Sequence, residues 1–318
     1  LSLHDALPIL AIAFGAAGTT SSSATSTVTP AYPTVAAGDY MVLKVAHKYA
    51  TPTVATPSGW TALGAQAGGA GTDGTVDEGQ VKLWIFGKEA TGSESGTLSV
   101  SNSGGTASCL SARIMSFTKG ASETWDVVGN ALAADNTAGT SLVWTYDTDP
   151  GLTVNDWALT VWAINSDAYT HTHAFSASGV SAVTTQSRSN VTVTAGANMR
   201  HGLVTHSIDT GTATGVATYT NTSSGSATNA PAGASVLVRL RAVSSGSDTP
   251  MVAAQGSYTL TGQAATFDMG MAAETGYYTL TGNAVSLEAA GSGGYRPSTD
   301  KRRSEEHTSE LQSPMFIS

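Results

Sequence analysis

Two stretches of this chain, "YPTVAAGDYMVLKVAH" at residues 32–47 and "DPGLTVNDWALTVWAI" at residues 149–164, do most to limit how it can fold. Pro33 and Pro150, Asp39 and Asp156, and Tyr40 and Trp157 all stand 117 residues apart. Downstream, "VKLWIFGKEATGSESGTLSVSNSGG" aligns with "RHGLVTHSIDTGTATGVATYTNTSSG", setting Lys82 against His201 and Gly96 against Gly215 at a spacing of 119. The closing runs "LSARIMSF" and "ASVLVRLRA" match at a slightly larger offset. The agreement reads as an internal duplication: one unit over residues 10–118 and a second over residues 119–243.

What each unit contains follows from its texture. Runs rich in Val, Thr and aromatic residues alternate with clusters of Gly, Ser and Asn, and nothing of ten or more residues carries a helical stripe. The first unit predicts strands near Ala11–Phe14, Ser26–Pro30, Tyr40–Lys48, Trp60–Leu63, Gln80–Ala90, Gly96–Ser101 and Ser108–Thr118. A parallel α/β sheet would need a crossover helix between neighbouring strands. The expectation is therefore all-β: two tandem duplicated β-sandwich domains, jelly-roll-like, followed by short β-hairpin repeats.

Those repeats are "GSYTLTGQAATFDMG" and, twenty residues on, "GYYTLTGNAVSLEAA", within residues 251–290. Each reads as strand, Gly-centred turn, strand, with Tyr258 and Leu260, and then Tyr278 and Leu280, on one face. Two such units bury little alone, so these four residues are expected to serve assembly. Residues 244–250 read as a linker and 291–302 as a flexible end.

The outermost residues are of another kind. "RSEEHTSELQS" and "LSLHDALPI" resemble translated sequencing-adapter DNA, so residues 1–9 and 303–318 are expected to be non-native. Without Leu3–Ile9, "LPILAIAFGAAG" keeps an apolar core of only Leu10–Phe14, too short for a signal peptide and better read as a first strand. No run approaches the ~20 apolar residues of a membrane span. Setting aside Asp5, Arg303, Glu305, Glu306 and Glu310 turns 14 basic and 23 acidic residues into 13 and 19, a balance of about −6. Scattered Lys and Arg on a mildly acidic chain offer no stripe to track phosphates, which argues against nucleic acid. The one cysteine, Cys109, sits among strand residues as a buried thiol, and no disulfide framework exists.

Candidate chemistry is sparse. In "DAYTHTHAF", His171 and His173 share one face of a strand, a geometry that puts two imidazoles within reach of one metal but closes no site, beside the plainer reading of ordinary strand histidines. "GTDGTVDEG" gathers Asp73, Asp77 and Glu78 as oxygen ligands for calcium, without EF-hand spacing; a solvated hairpin loop is the plainer reading. Trp60, after Pro57-Ser58-Gly59, offers a ring to stack on a sugar or to pack in a core. No Gly-x-Ser-x-Gly elbow is present, no catalytic group emerges, and no cofactor is implied.

"AGDYMVLKV", "TPSGWTALG" and "KLWIFGKEATGSESGTLSV" resemble a domain of tailed-bacteriophage virion and tail-surface proteins. The likeness covers residues 10–118 well and the second half less, where "TPSGW" becomes "FSASGV". The Tyr-x-Leu-Thr-Gly repeats are also similar to phage tandem tails. The resemblance implies a non-enzymatic structural protein on the virion, serving assembly and host-surface adhesion. Its implied partners are other virion or tail proteins, a cell-surface glycan or receptor, and further copies of itself, as a trimer. Two other classes fit the same pattern: a bacterial extracellular adhesin or carbohydrate-binding module at the cell surface, and a component of a surface-glycan depolymerase.

Overall fold

In the computed structural model of the chain, the described residues are 12–73, 75–104, 109–167, 170–194, 198–224 and 231–244, with the backbone of four short strands beyond them. They are all-β. The first half contributes β1 (Ala13–Ala17), β2 (Ser21–Ser23), β3 (Thr27–Val28), β4 (Tyr40–His47), β5 (Thr53–Val54), β6 (Thr61–Ala70), β7 (Gly79–Glu89), β8 (Val100–Ser103) and β9 (Leu110–Thr118). The second contributes β10 (Glu123–Asp135), β11 (Ser141–Thr145), β12 (Trp157–Ile164), β13 (Thr170–Ala177), β14 (Val180–Val193), β15 (Met199–Gly211), β16 (Ala217–Ser224) and β17 (Gly233–Ser244). Among the described residues no helix is long and apolar enough to cross a membrane.

Each half is one large and one small antiparallel sheet. In the first half the large sheet runs β1-β9-β4-β7-β6, with β2 also on β9, and the small sheet runs β3-β8-β5. In the second half the orders are β10-β17-β12-β15-β14 and β11-β16-β13, the same sequence of strands position for position. A core lies inside each pair. Met41, Leu43, Trp60, Trp84, Phe86 and Ile114 fill the first; Leu142, Trp144, Tyr146, Trp162, Tyr219 and Leu237 fill the second.

The residues matched at 117 do matched work. Asp39 Oδ2 accepts the Ala36 amide at 2.8 Å, and Asp156 Oδ2 accepts the Thr153 amide at 2.7 Å. Each carboxylate thereby closes the turn that launches the central strand of its large sheet. Sheet register corrects the sequence match further on. His47 pairs with Lys82 across β4 and β7, whereas Ile164 pairs with Arg200 across β12 and β15, so Arg200 and not His201 takes the place of Lys82. A one-residue slip matters because it turns every side chain to the other face.

The expectation of two sandwiches, each with its own core, is incomplete. A third core lies between the two large sheets, where Val42, Ile85 and Phe117 of the first half meet Trp157, Leu159 and Val238 of the second. The layers therefore stack small, large, large, small, and residues up to Ser245 form one compact unit. This arrangement explains why β4 and β12 are buried at all eight positions, where a single sandwich would leave alternate residues wet.

The third core is closed differently along its two sides. On one, β6 packs on β10 and β17. A Cβ at Gly68 would overlap the Gly233 carbonyl, so glycine is what lets these backbones approach. On the other side long polar side chains span the gap: Arg113 Nη1 donates to Ser189 Oγ at 3.2 Å, and the Arg188 guanidinium lies 5.2 Å from the Phe14 ring and 5.3 Å from Trp157. Lys48 Nζ donates to the main-chain carbonyls of Asn165 and, at 2.7 Å, Asn198. Asn165 spends its own amide on Ala70 and Gly79 carbonyls at 3.1 and 3.0 Å and takes the Ala232 amide at 3.0 Å.

A second unit begins at Gly246. Its described strands are β18 (Thr259–Leu260), β19 (Phe267–Asp268), β20 (Thr279–Leu280) and β21 (Leu287–Glu288). Within-repeat hairpins were expected; instead β18 pairs with β20 and β19 with β21, both parallel. The register, Leu260 on Leu280 and Phe267 on Leu287, sets equivalent residues of successive repeats side by side. A twenty-residue repeat that stacks on itself pairs in this way, whereas a hairpin requires antiparallel neighbours. Tyr258, Tyr278, the remainder of the linker after Ser244, residues 291–302 and both adapter-like ends lie outside the described residues.

Candidate functional site

The densest gathering of chemistry-bearing side chains lies inside the second sandwich. Strict alternation along β13 turns His171, His173 and Phe175 inward and leaves Thr170, Thr172, Ala174 and Ser176 exposed. From the facing large sheet come Trp162 and Thr160 on β12 and His206 on β15; β16 adds Tyr219, Asn221 and Ser223. The rings form a continuous patch. Trp162 is 4.9 Å from His171 and 5.9 Å from His173, His173 stacks on Tyr219 at 5.8 Å, and Phe175 stacks on His206 at 4.5 Å.

Each imidazole is fixed by neutral partners. His171 Nδ1 bonds Asn221 Oδ1 at 2.9 Å and Ser223 Oγ at 3.1 Å. His173 Nδ1 bonds the Tyr219 hydroxyl at 2.6 Å, and His206 bonds Thr185 at 2.9 Å and Thr160 at 3.1 Å. Desolvation disfavours the charged form where no carboxylate compensates. Burial pulls His171 down to about 4, with Arg200 adding to the effect, and pulls His173 to about 4. Burial, then the neighbouring His173, takes His206 to about 3. All three are therefore neutral at pH 7.

Three buried polar atoms in this patch, Trp162 Nε1, His171 Nε2 and Asn221 Nδ2, have no hydrogen-bond partner among the described residues. His171 and His173 stand side by side as the sequence predicts, with ring centroids 6.4 Å apart. No group of three or more His, Cys, Asp or Glu poised to hold a metal occurs among the described residues.

The other predicted residues are scattered. Asp73, Asp77 and Glu78 all lie in the β6–β7 turn, where their carboxylates accept main-chain amides. Gln80 donates to Asp73 at 2.6 Å, Asp167 to Asp77 at 3.2 Å, and Thr72 to Glu78 at 3.4 Å. The oxygens thus brace the turn and its contact with the second half. Trp60 is 7% exposed within the first sandwich core, so its ring offers no open face to a sugar. Cys109 is buried, and burial raises its thiol to about 12.

His206 and Tyr219 escaped sequence reasoning: Tyr219 sits at an inward position of the alternating run "TYTNT", whereas His206 lies in a stretch of β15 buried on both faces, which leaves no alternation to read. Lys44 and Lys48, inside the apolar run "YMVLKVAHK", were equally visible as charges where a strand is otherwise buried. No family model, no curated protein and no solved structure matches this chain.

Proposed function

We propose that the chain is a non-enzymatic structural module of a tailed-phage tail or virion surface, working in particle assembly and host-surface adhesion. The observation that carries this reading is the disposition of side chains across the four layers. The chemistry-bearing groups turn inward: His47, His201, His206 and Cys109 are buried. The outer face of the second small sheet carries instead a register of uncharged side chains, with Ser141 beside Thr222 and Thr172, and Thr145 beside Thr218 and Ser176. A stiff slab with neutral hydroxyl faces suits packing and adhesion better than turnover. The stacked twenty-residue repeats supply an assembly element, and the shared strand order of the halves is read as the product of one duplication.

The reading is tested on particles. Phage particles purified by density gradient from a host that produces the chain are digested and searched by mass spectrometry for peptides of residues 12–244. Peptides that co-sediment with intact particles support the proposal. Peptides confined to bacterial envelopes or culture supernatant overturn it in favour of a cellular adhesin.

A further inference from the structure

Between the two large sheets, away from the histidine patch, lies a group of basic side chains with no bonded carboxylate among the described residues. Lys44 on β4 and Arg113 on β9 are directly opposite in register, so both side chains point into the gap. His201 on β15 and Ser189 on β14 face them from the other sheet, and Ser111 lies one pair further along β9. Lys44 and His201 are each 0% exposed.

Their bonding is incomplete. Among the described residues Lys44 Nζ has one hydrogen bond, to the His201 carbonyl at 3.4 Å, near the limit of a useful contact. His201 Nε2 bonds Ser111 Oγ at 2.8 Å, but its Nδ1 is buried with no partner. Arg113 donates to the Gly18 carbonyl at 2.9 Å and to Ser189 at 3.2 Å. Among the described residues the bonds of these groups run to hydroxyls and main-chain carbonyls and not to a carboxylate. An ammonium buried without a counter-charge costs several kcal/mol, and a guanidinium cannot shed its proton to escape the same problem.

We propose that a small inorganic anion of halide size binds between the two large sheets, held by Lys44, Arg113 and His201. The site is rich in donors, as an anion requires, and its enclosure between two sheets favours a small spherical ion over a phosphate ester or a carboxylate ligand. Without the anion, burial and the adjacent Arg113 force Lys44 well below the ordinary lysine range, and burial with Lys44 beside it does the same to His201. Binding therefore favours the charged form of Lys44 and ties the two halves together. The inference is independent of any role on a particle.

The test uses the full chain at pH 7 and constant ionic strength, replacing sodium gluconate stepwise with sodium bromide or chloride. The thermal midpoint is expected to rise by a few degrees with halide, as for any ligand that binds only the folded state. Lys44→Met, a shape-conserving change that removes the buried charge, is expected to fold at least as stably without halide and to lose the dependence. Crystals grown with bromide are expected to show an anomalous peak among Lys44, Arg113 and His201. A midpoint indifferent to halide, a dependence that survives Lys44→Met, or a bromide peak elsewhere with none at this position overturns the proposal.

Discussion

The two sandwiches share a strand order but not a core. In the first, β4 places Val45 opposite Trp84 of β7; in the second, β12 places Trp162 opposite Gly202 of β15. The indole fills the same cross-strand space from opposite strands, and a Cβ at Gly202 would overlap the Trp162 ring. Among the described residues the first core carries one imidazole, His47, bonded to Asn102 at its margin. The second holds three imidazoles among Trp162, Tyr219 and Phe175. One topology thus tolerates two chemistries when volume is conserved, as close-packed interiors require.

The largest effect should come from removing the swapped ring itself. Trp162→Ala is expected to cost about 3–5 kcal/mol in urea unfolding, the range for deleting a buried aromatic, and Trp84→Ala a similar amount. A clearly smaller loss at Trp162 would show that its core is not packed as tightly as its counterpart.

Gly202→Ala should cost about 1–3 kcal/mol through overpacking against the indole. The double change Trp162→Val with Gly202→Trp rebuilds the arrangement of the first half and should lose less than Gly202→Trp alone. Equal losses in the single and double variants would mean that the two positions do not share one space.

Acid should separate the sandwiches next. His171, His173 and His206 have folded values of about 4, 4 and 3, below the ordinary value of 6.5. Between those limits the unfolded chain binds more protons, so the stability they contribute is complete above pH 6.5 and is lost as pH falls through about 4. His47, lowered to about 4 by burial, gives the first sandwich one such group against three. Amide protection, corrected for the intrinsic exchange rate at each pH, is expected to fall first in β11, β13 and β16 between pH 7 and 4.5. Earlier loosening of β3, β5 and β8 would reverse the ranking.

At the small end, Thr222→Ala on the exposed face of β16 should change stability by less than about 0.5 kcal/mol. A larger loss would mean that the hydroxyl face is part of the folded-state bonding in the second half.

Much of this was legible in the sequence, and the reasons for the rest are physical. The strands around Tyr40–His47 and Gly79–Glu89 announced themselves through apolar runs bounded by Gly and Pro, and Asp39 and Asp156 through their shared turn. β5, at Thr53–Val54, is two residues long and held by its neighbour, so it leaves no periodic trace. The third core was hidden because sequence patterns report how many faces a strand buries, not what covers them. Lys44 obscured even that, since a lysine in an apolar strand reads as an edge until a second sheet is seen to lie over it. His171 and His173 were visible as a pair, but their aromatic enclosure depends on Trp162 and Tyr219 from two other strands. Pairing between the twenty-residue repeats was misjudged because the turn residues fit a hairpin as well as a stacked coil.

The central claim is that the large sheets of the two halves pack on each other to form one shared core. It is tested most directly by nuclear Overhauser contacts between the ring protons of Phe117 and Trp157, which meet edge to face with centroids 6.1 Å apart. The Trp144–Tyr219 pair, stacked at 5.6 Å within the second sandwich, serves as the internal reference. The account predicts strong cross-peaks for both pairs. Cross-peaks for Trp144 and Tyr219 with none between Phe117 and Trp157 would contradict it, leaving two sandwiches that fold separately.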